Sequence, residues 1–126
     1  MRLGELHNYL FLLLFFMTGP ARAADTFPVR PVRIIVPAGA GGVTDVVARV
    51  VSQRLGDRIG QQVIVDNRPG AGGVTGSEIV AKATPDGYTL LLAFPSHAVH
   101  PSLVARLPYD SVKSFTPVTQ IGRAHV

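Results

Sequence analysis

The hexapeptide GAGGVT occurs twice, at Gly39–Thr44 and Gly70–Thr75. Each copy follows a short Val/Ile-rich run and leads into a stretch of helical periodicity. The repeat is therefore one of architecture as well as of letters: strand, glycine loop, helix. Val32–Val36 is nearly continuously apolar, which suits a parallel strand covered on both faces. The stretch from Thr44 to Gly60 is helical. Its apolar side is expected to hold Val47, Val50, Val51, Leu55 and Ile59, and its wet side Asp45, Arg49, Ser52, Gln53, Gly56 and Asp57. Thr44 or a residue just before it suits the start, and Gly60 the end.

Gln62–Asn67 reads as a second strand, and Val74–Ala83 as a second helix with Glu78 and Lys82 paired on its wet face. Thr84–Gly87 is a Pro/Gly turn, and Tyr88–Phe94 a third strand. This order predicts an α/β fold with a parallel sheet, helices on its faces and right-handed crossovers. Beyond Phe94 the signals weaken to prolines with short helical or turn pieces.

A strand–loop–helix junction aims backbone N–H groups and the positive end of the helix at one spot, which welcomes an anion. Three uses compete. A P-loop needs a Lys after its last glycine, and neither copy has one. A dinucleotide fingerprint fits in part. Thr44 stands where its third glycine belongs, yet Asp66 ends the second strand where a ribose-binding acid would sit. The third use is an organic anion held by loop amides, with Thr44 and Asp45 adding side-chain contacts. Asp45 alone also reads as an ordinary solvated carboxylate in a first helical turn.

Composition narrows the choice. The chain has no cysteine, which excludes a thiol nucleophile, a disulfide scaffold and a Cys-bound metal. Its 12 Lys and Arg are scattered against 8 Asp and Glu, so no nucleic-acid partner is expected. No G-x-S-x-G elbow carries a serine, and His97 with His100 lacks a third metal ligand, so neither an enzyme nor a metal site is expected. Residues 1–23 read as a cleavable secretory signal: Arg2, the apolar run Tyr9–Met17, a break at Thr18–Pro20, and Ala-Arg-Ala at residues 21–23. The run is about half of the ~20 apolar residues that a spanning helix needs. Export disfavours NAD or ATP, and no cofactor is expected.

Three strings then carry a resemblance: FPVRPVRIIVPAGAGGVTDVVAR, VIVDNRPGAGGVTGSEIVAKATPDGYTLL and HPSLVARLPYDSVKSFTPVTQIG. Together they resemble the Bug/TctC family, the extracytoplasmic solute-binding receptors of tripartite tricarboxylate transporters. The resemblance implies a type II periplasmic-binding clamshell. Residues 24–120 would form the N-terminal part of its first lobe, a parallel-sheet lobe incomplete in this chain. It implies a monomer in the periplasm that captures a small organic carboxylate: citrate, another di- or tricarboxylate, an acidic amino acid, nicotinate or an aromatic acid. The partners would be the membrane transporter subunits, or in a variant a sensor kinase. A fragment of a nucleotide-binding α/β enzyme is the alternative.

The family's ligand loop maps onto Pro37–Asp45, making Ala38, Gly39, Gly41, Gly42, Thr44 and Asp45 candidate contacts. The loop Pro95–His100 adds Ser96 and His97. Gly70–Gly73 is implied to be a packing turn. His100 and Val104 stand where the family commonly has Asn and Tyr, and His100 is expected on a surface loop. Ile121–Val126 departs from the family pattern and is expected to be a non-native tail, reading like a translated library adapter, on a truncated chain that binds no ligand alone.

Overall fold

The computed structural model describes residues 26–122; the expected signal segment and residues 123–126 of the expected tail lie outside them. The chain runs β1 (Val32–Val36), α1 (Val43–Ile59), β2 (Val63–Asn67), a 3₁₀ turn (Ala71–Gly73), α2 (Val74–Ala81), β3 (Thr89–Leu91) and α3 (Pro95–Leu103). The sheet is three-stranded and parallel in the order β2-β1-β3, with Val32 opposite Val63 and Arg33 opposite Thr89. β1 is thus central, and it is parallel to both neighbours, as its apolar run suggests.

From β1 the chain moves one way to β2 and then back past β1 to β3. Right-handed crossovers in opposite directions place their helices on opposite faces. The core agrees. Ile34 and Val36 meet Ala48 and Val51 of α1, along with Val63, Val65, Leu90 and Leu92. Ile35 alternates to the other face, is fully buried, and lies on the side that α2 covers.

Three expectations need correction. First, α1 is rolled relative to its hydrophobic pattern. Asp45, Ala48 and Ser52 are buried, whereas Val50, assigned to the core, is exposed. Val47, Val51, Leu55 and Ile59 keep their expected half-buried side. The physical reason is size: Ala48 and Ser52 let the helix axis approach β1, and a hydrophobicity count is blind to that. Second, β3 is shorter than Tyr88–Phe94. The ladder ends with the bond from Leu92 N–H to the Ile35 carbonyl, and the chain then turns into a helix. Third, Pro95–Leu103 is one helix rather than a loop. Pro95 stands at its first turn, where a missing N–H costs nothing. Pro101 lies inside it, and the buried His100 anchors the same turn.

Other expectations hold. Gly60 caps α1 in the left-handed region at φ 67°, its N–H bonded to the Gly56 carbonyl. The Thr84–Gly87 turn is held from the N-terminal side: Arg30 pairs with Asp86 at 2.8 Å and lies 4.1 Å over the Tyr88 ring, against which Phe27 packs. Among the described residues no helix is long and apolar enough to cross a membrane.

Candidate functional site

In open parallel sheets, ligands bind beyond the carboxyl ends of the strands, where adjacent connections leave in opposite directions. Here that point lies between β1 and β3. The loop after β1 (residues 37–42) and the start of α3 leave the sheet side by side along this edge. Strand pairing therefore brings the first GAGGVT and Ser96 to the same rim, although they are far apart in sequence.

The loop is exposed from Gly39 to Val43. α1 begins with Gly42 as its cap in extended conformation, and no side chain caps it; Thr44 does not fill the capping role allowed for it. Asp45 takes a different part instead. It is 4% exposed, not solvated, and its Oδ2 accepts the Gly41 N–H at 2.9 Å and Arg49 Nε at 3.0 Å. Chiefly the Arg49 guanidinium, then the Gly41 amide, hold its carboxyl down at about 2 against an ordinary 3.8, and the Asn67 side chain adds to the effect. Oδ1 is buried with no hydrogen-bond partner among the described residues.

Asp45 is thus an internal anion at the positive end of α1, and it already occupies the Gly41 N–H. Two carboxylates at one spot repel. A ligand carboxylate would therefore meet the amides of Gly39, Ala40 and Gly42, which donate to nothing among the described residues. A Cβ built on Gly39 or Gly41 meets nothing within 4 Å, and on Gly42 only the Gly39 carbonyl at 3.8 Å. This backbone is open to approach from outside. The loop is tied back by Asn67, whose Nδ2 donates to the Ala38 carbonyl at 3.2 Å.

The second expected element is arranged differently. Ser96 is exposed in the first turn of α3. His97 points inward: Nε2 lies 3.1 Å from the Ser111 carbonyl and Nδ1 3.3 Å from Ser77 Oγ, and the ring stacks on Tyr109 and meets Phe115 edge-on. A carbonyl can only accept, so Nε2 carries the proton and Nδ1 accepts from the serine. Both ring nitrogens are engaged within the chain.

His100, expected on a surface loop, is 4% exposed. Its Nε2 donates to the Gly72 carbonyl at 3.0 Å, and its Nδ1 pairs with the Tyr109 hydroxyl at 2.8 Å. It joins α3, the second glycine loop and the segment after α3. Sequence reasoning missed this role and that of Asn67; no local pattern marks either, since both act through distant partners. Asp66, the acid a ribose would need, is bridged by Arg68 at 2.8 Å and Arg33 at 3.5 Å. A dinucleotide would have to displace two guanidiniums there.

A parallel sheet with its glycine loop facing outward at the switch point defines an α/β ligand-binding lobe. Comparison with known proteins gives the family. Residues 47–126 match the model of the tripartite tricarboxylate transporter family receptor, TctC. The chain belongs to this family, whose members are solute-binding receptors and not enzymes.

Protein BugT of Bordetella pertussis is 49% identical over 102 residues, covering 79% of this chain and 31% of its own. Among solved structures, the periplasmic binding protein BugD superposes with a TM-score of 0.70 at 43% identity, over 72% of this chain and 30% of its own. MatC of Rhodopseudomonas palustris, solved with malate, gives 0.69 at 41% identity, over 73% and 32%. An R. palustris protein solved with adipate gives 0.64 at 37%, over 68% and 29%. The chain spans about a third of the length of the curated relatives it matches.

Proposed function

We propose that the full-length protein is a periplasmic receptor that captures a small organic carboxylate and delivers it to the membrane subunits of a tripartite tricarboxylate transporter. One observation carries the reading: an exposed glycine loop at the carboxyl edge of the sheet presents the amides of Gly39, Ala40 and Gly42, which have no partner among the described residues. Oriented N–H groups at a helix start bind carboxylates without any cationic side chain. Family membership and relatives solved with malate and adipate support the same chemistry.

Within this reading, Ala38, Gly39, Gly41, Gly42 and Thr44 form the ligand loop and Asp45 shapes it from behind. Ser96 faces the cleft from α3, while His97 braces the helix on which Ser96 sits. Such pockets enclose most of their ligand, so a facing lobe of the full-length receptor supplies the other wall, and this chain is a truncated part of it. The protein acts as a monomer, without nucleic acid or cofactor, and reaches the periplasm through a cleavable signal at residues 1–23.

Calorimetry of the full-length protein with malate, adipate, citrate and NAD tests the proposal. Carboxylates should bind and NAD should not; binding of NAD alone would overturn it. Cell fractionation with N-terminal sequencing tests export. The mature protein should start near Ala24, and retention in the cytoplasm would remove the receptor role.

A further inference from the structure

Asn67 closes β2 at the last register position, opposite Val36. Asn is a poor strand residue, and its side chain contributes nothing to the ladder. Instead it reaches across to β1's loop. Its Nδ2 donates to the Ala38 carbonyl, a contact between residues 29 positions apart. Arg49 and the Gly41 amide chiefly hold the Asp45 carboxyl below its ordinary range, and the Asn67 side chain adds to them.

An amide nitrogen carries N–H donors, and the Ala38 carbonyl accepts from one of them. Aspartate has none when ionised, and an aliphatic side chain has none at all. Asp45 in turn grips the middle of the loop through the Gly41 N–H. The Ala38 carbonyl and the Gly41 N–H are thus each held by a side chain, while the Gly39, Ala40 and Gly42 amides donate to nothing among the described residues.

We infer that Asn67 is a positioning residue for the ligand loop: its side-chain amide, anchored on β2, ties down the Ala38 carbonyl and so holds the loop amides that follow in the arrangement that receives a carboxylate. This rests on the reading of the loop as the ligand site. A binding group held by a rigid neighbour loses less freedom on binding, so the gain is in affinity.

The test uses the full-length protein with Asn67→Asp, which is isosteric but lacks the donors, and Asn67→Ala, which lacks them without adding charge. In the ligand-free state, exchange of the Gly41 amide, the loop N–H held by Asp45, should rise about tenfold in both variants, while Val32–Val36 keeps its protection. Malate affinity, read by calorimetry, should fall about tenfold, the loss of one hydrogen bond. Wild-type exchange in the loop, equal acceleration of loop and β1, or unchanged malate binding in both variants would each overturn the inference. If the wild type binds no carboxylate, the receptor reading falls, and the exchange result alone then decides whether Asn67 holds the loop.

Discussion

The same six residues fold in two ways in this chain. In the first GAGGVT, of its four glycines and alanines only Gly41 has positive φ, at 85°. In the second, Gly70, Ala71, Gly72 and Gly73 all do, at 138°, 47°, 65° and 105°. Val43 of the first copy is 84% exposed, while its counterpart Val74 is 7% exposed. The first copy's glycines face open space. In the second, a Cβ on Gly73 would meet Pro37 and His100, and the following Gly76 would place one 2.8 Å from the Pro37 Cα.

The residue just after the repeat marks the divergence: Asp45 in one copy, Gly76 in the other. A buried carboxylate curls the first loop onto its own amide. A missing side chain lets α2 press against the stem of that loop. The copy implied to be a packing turn is one, and it backs Pro37, from which the other loop springs.

Five substitutions in the full-length protein test this contrast, the largest effect first. Gly76→Ala drives a methyl group into backbone and should cost about 2–3 kcal/mol in denaturant unfolding. Gly39→Ala should stay within about 0.5 kcal/mol, and equal losses would erase the distinction. Val74→Ala should cost about 2 kcal/mol against less than about 0.5 for Val43→Ala; a reversed order would mean that the wrong valine has been placed in the core. Gly41→Ala forces a side chain into the left-handed region. It should cost about 1 kcal/mol in stability and weaken malate binding with it; preserved affinity would show that this loop conformation is not the one that binds.

The smallest effect concerns acid. The folded Asp45 carboxyl titrates near 2, below its ordinary 3.8. Its stabilisation is therefore complete above about pH 4 and lost as the pH falls through 2. Asp45→Asn should flatten that part of the acid-unfolding curve. Superimposable curves for variant and wild type would dissociate Asp45 from the loop.

Much of the fold was legible because local rules and the fold agree. Alternating apolar runs and helical periods gave β1, α1, β2, α2 and their parallel order, and Gly60 ended α1 where its left-handed preference says it should. The loop after β1 was legible as a glycine junction, and the chain's membership of a family through strings such as NRPGAGG. The misses share a cause. Asp45 and Ser52 read as solvated because they are polar, yet Asp45 is buried with its charge met by the Gly41 amide and Arg49, and Ser52 is small enough to be buried. His100 looked like a loop residue because its anchors, Gly72 and Tyr109, come from other parts of the chain.

By itself the sequence determined the alternation of strands and helices, the two glycine turns and the absence of thiol chemistry, since periodicity, turn chemistry and composition are local properties. Which copy of GAGGVT opens outward and which is buried was decided only by tertiary structure. Six identical residues carry identical preferences, so their difference had to come from what packs beside them: Asp45, Arg49 and Asn67 around one, Pro37 and His100 against the other.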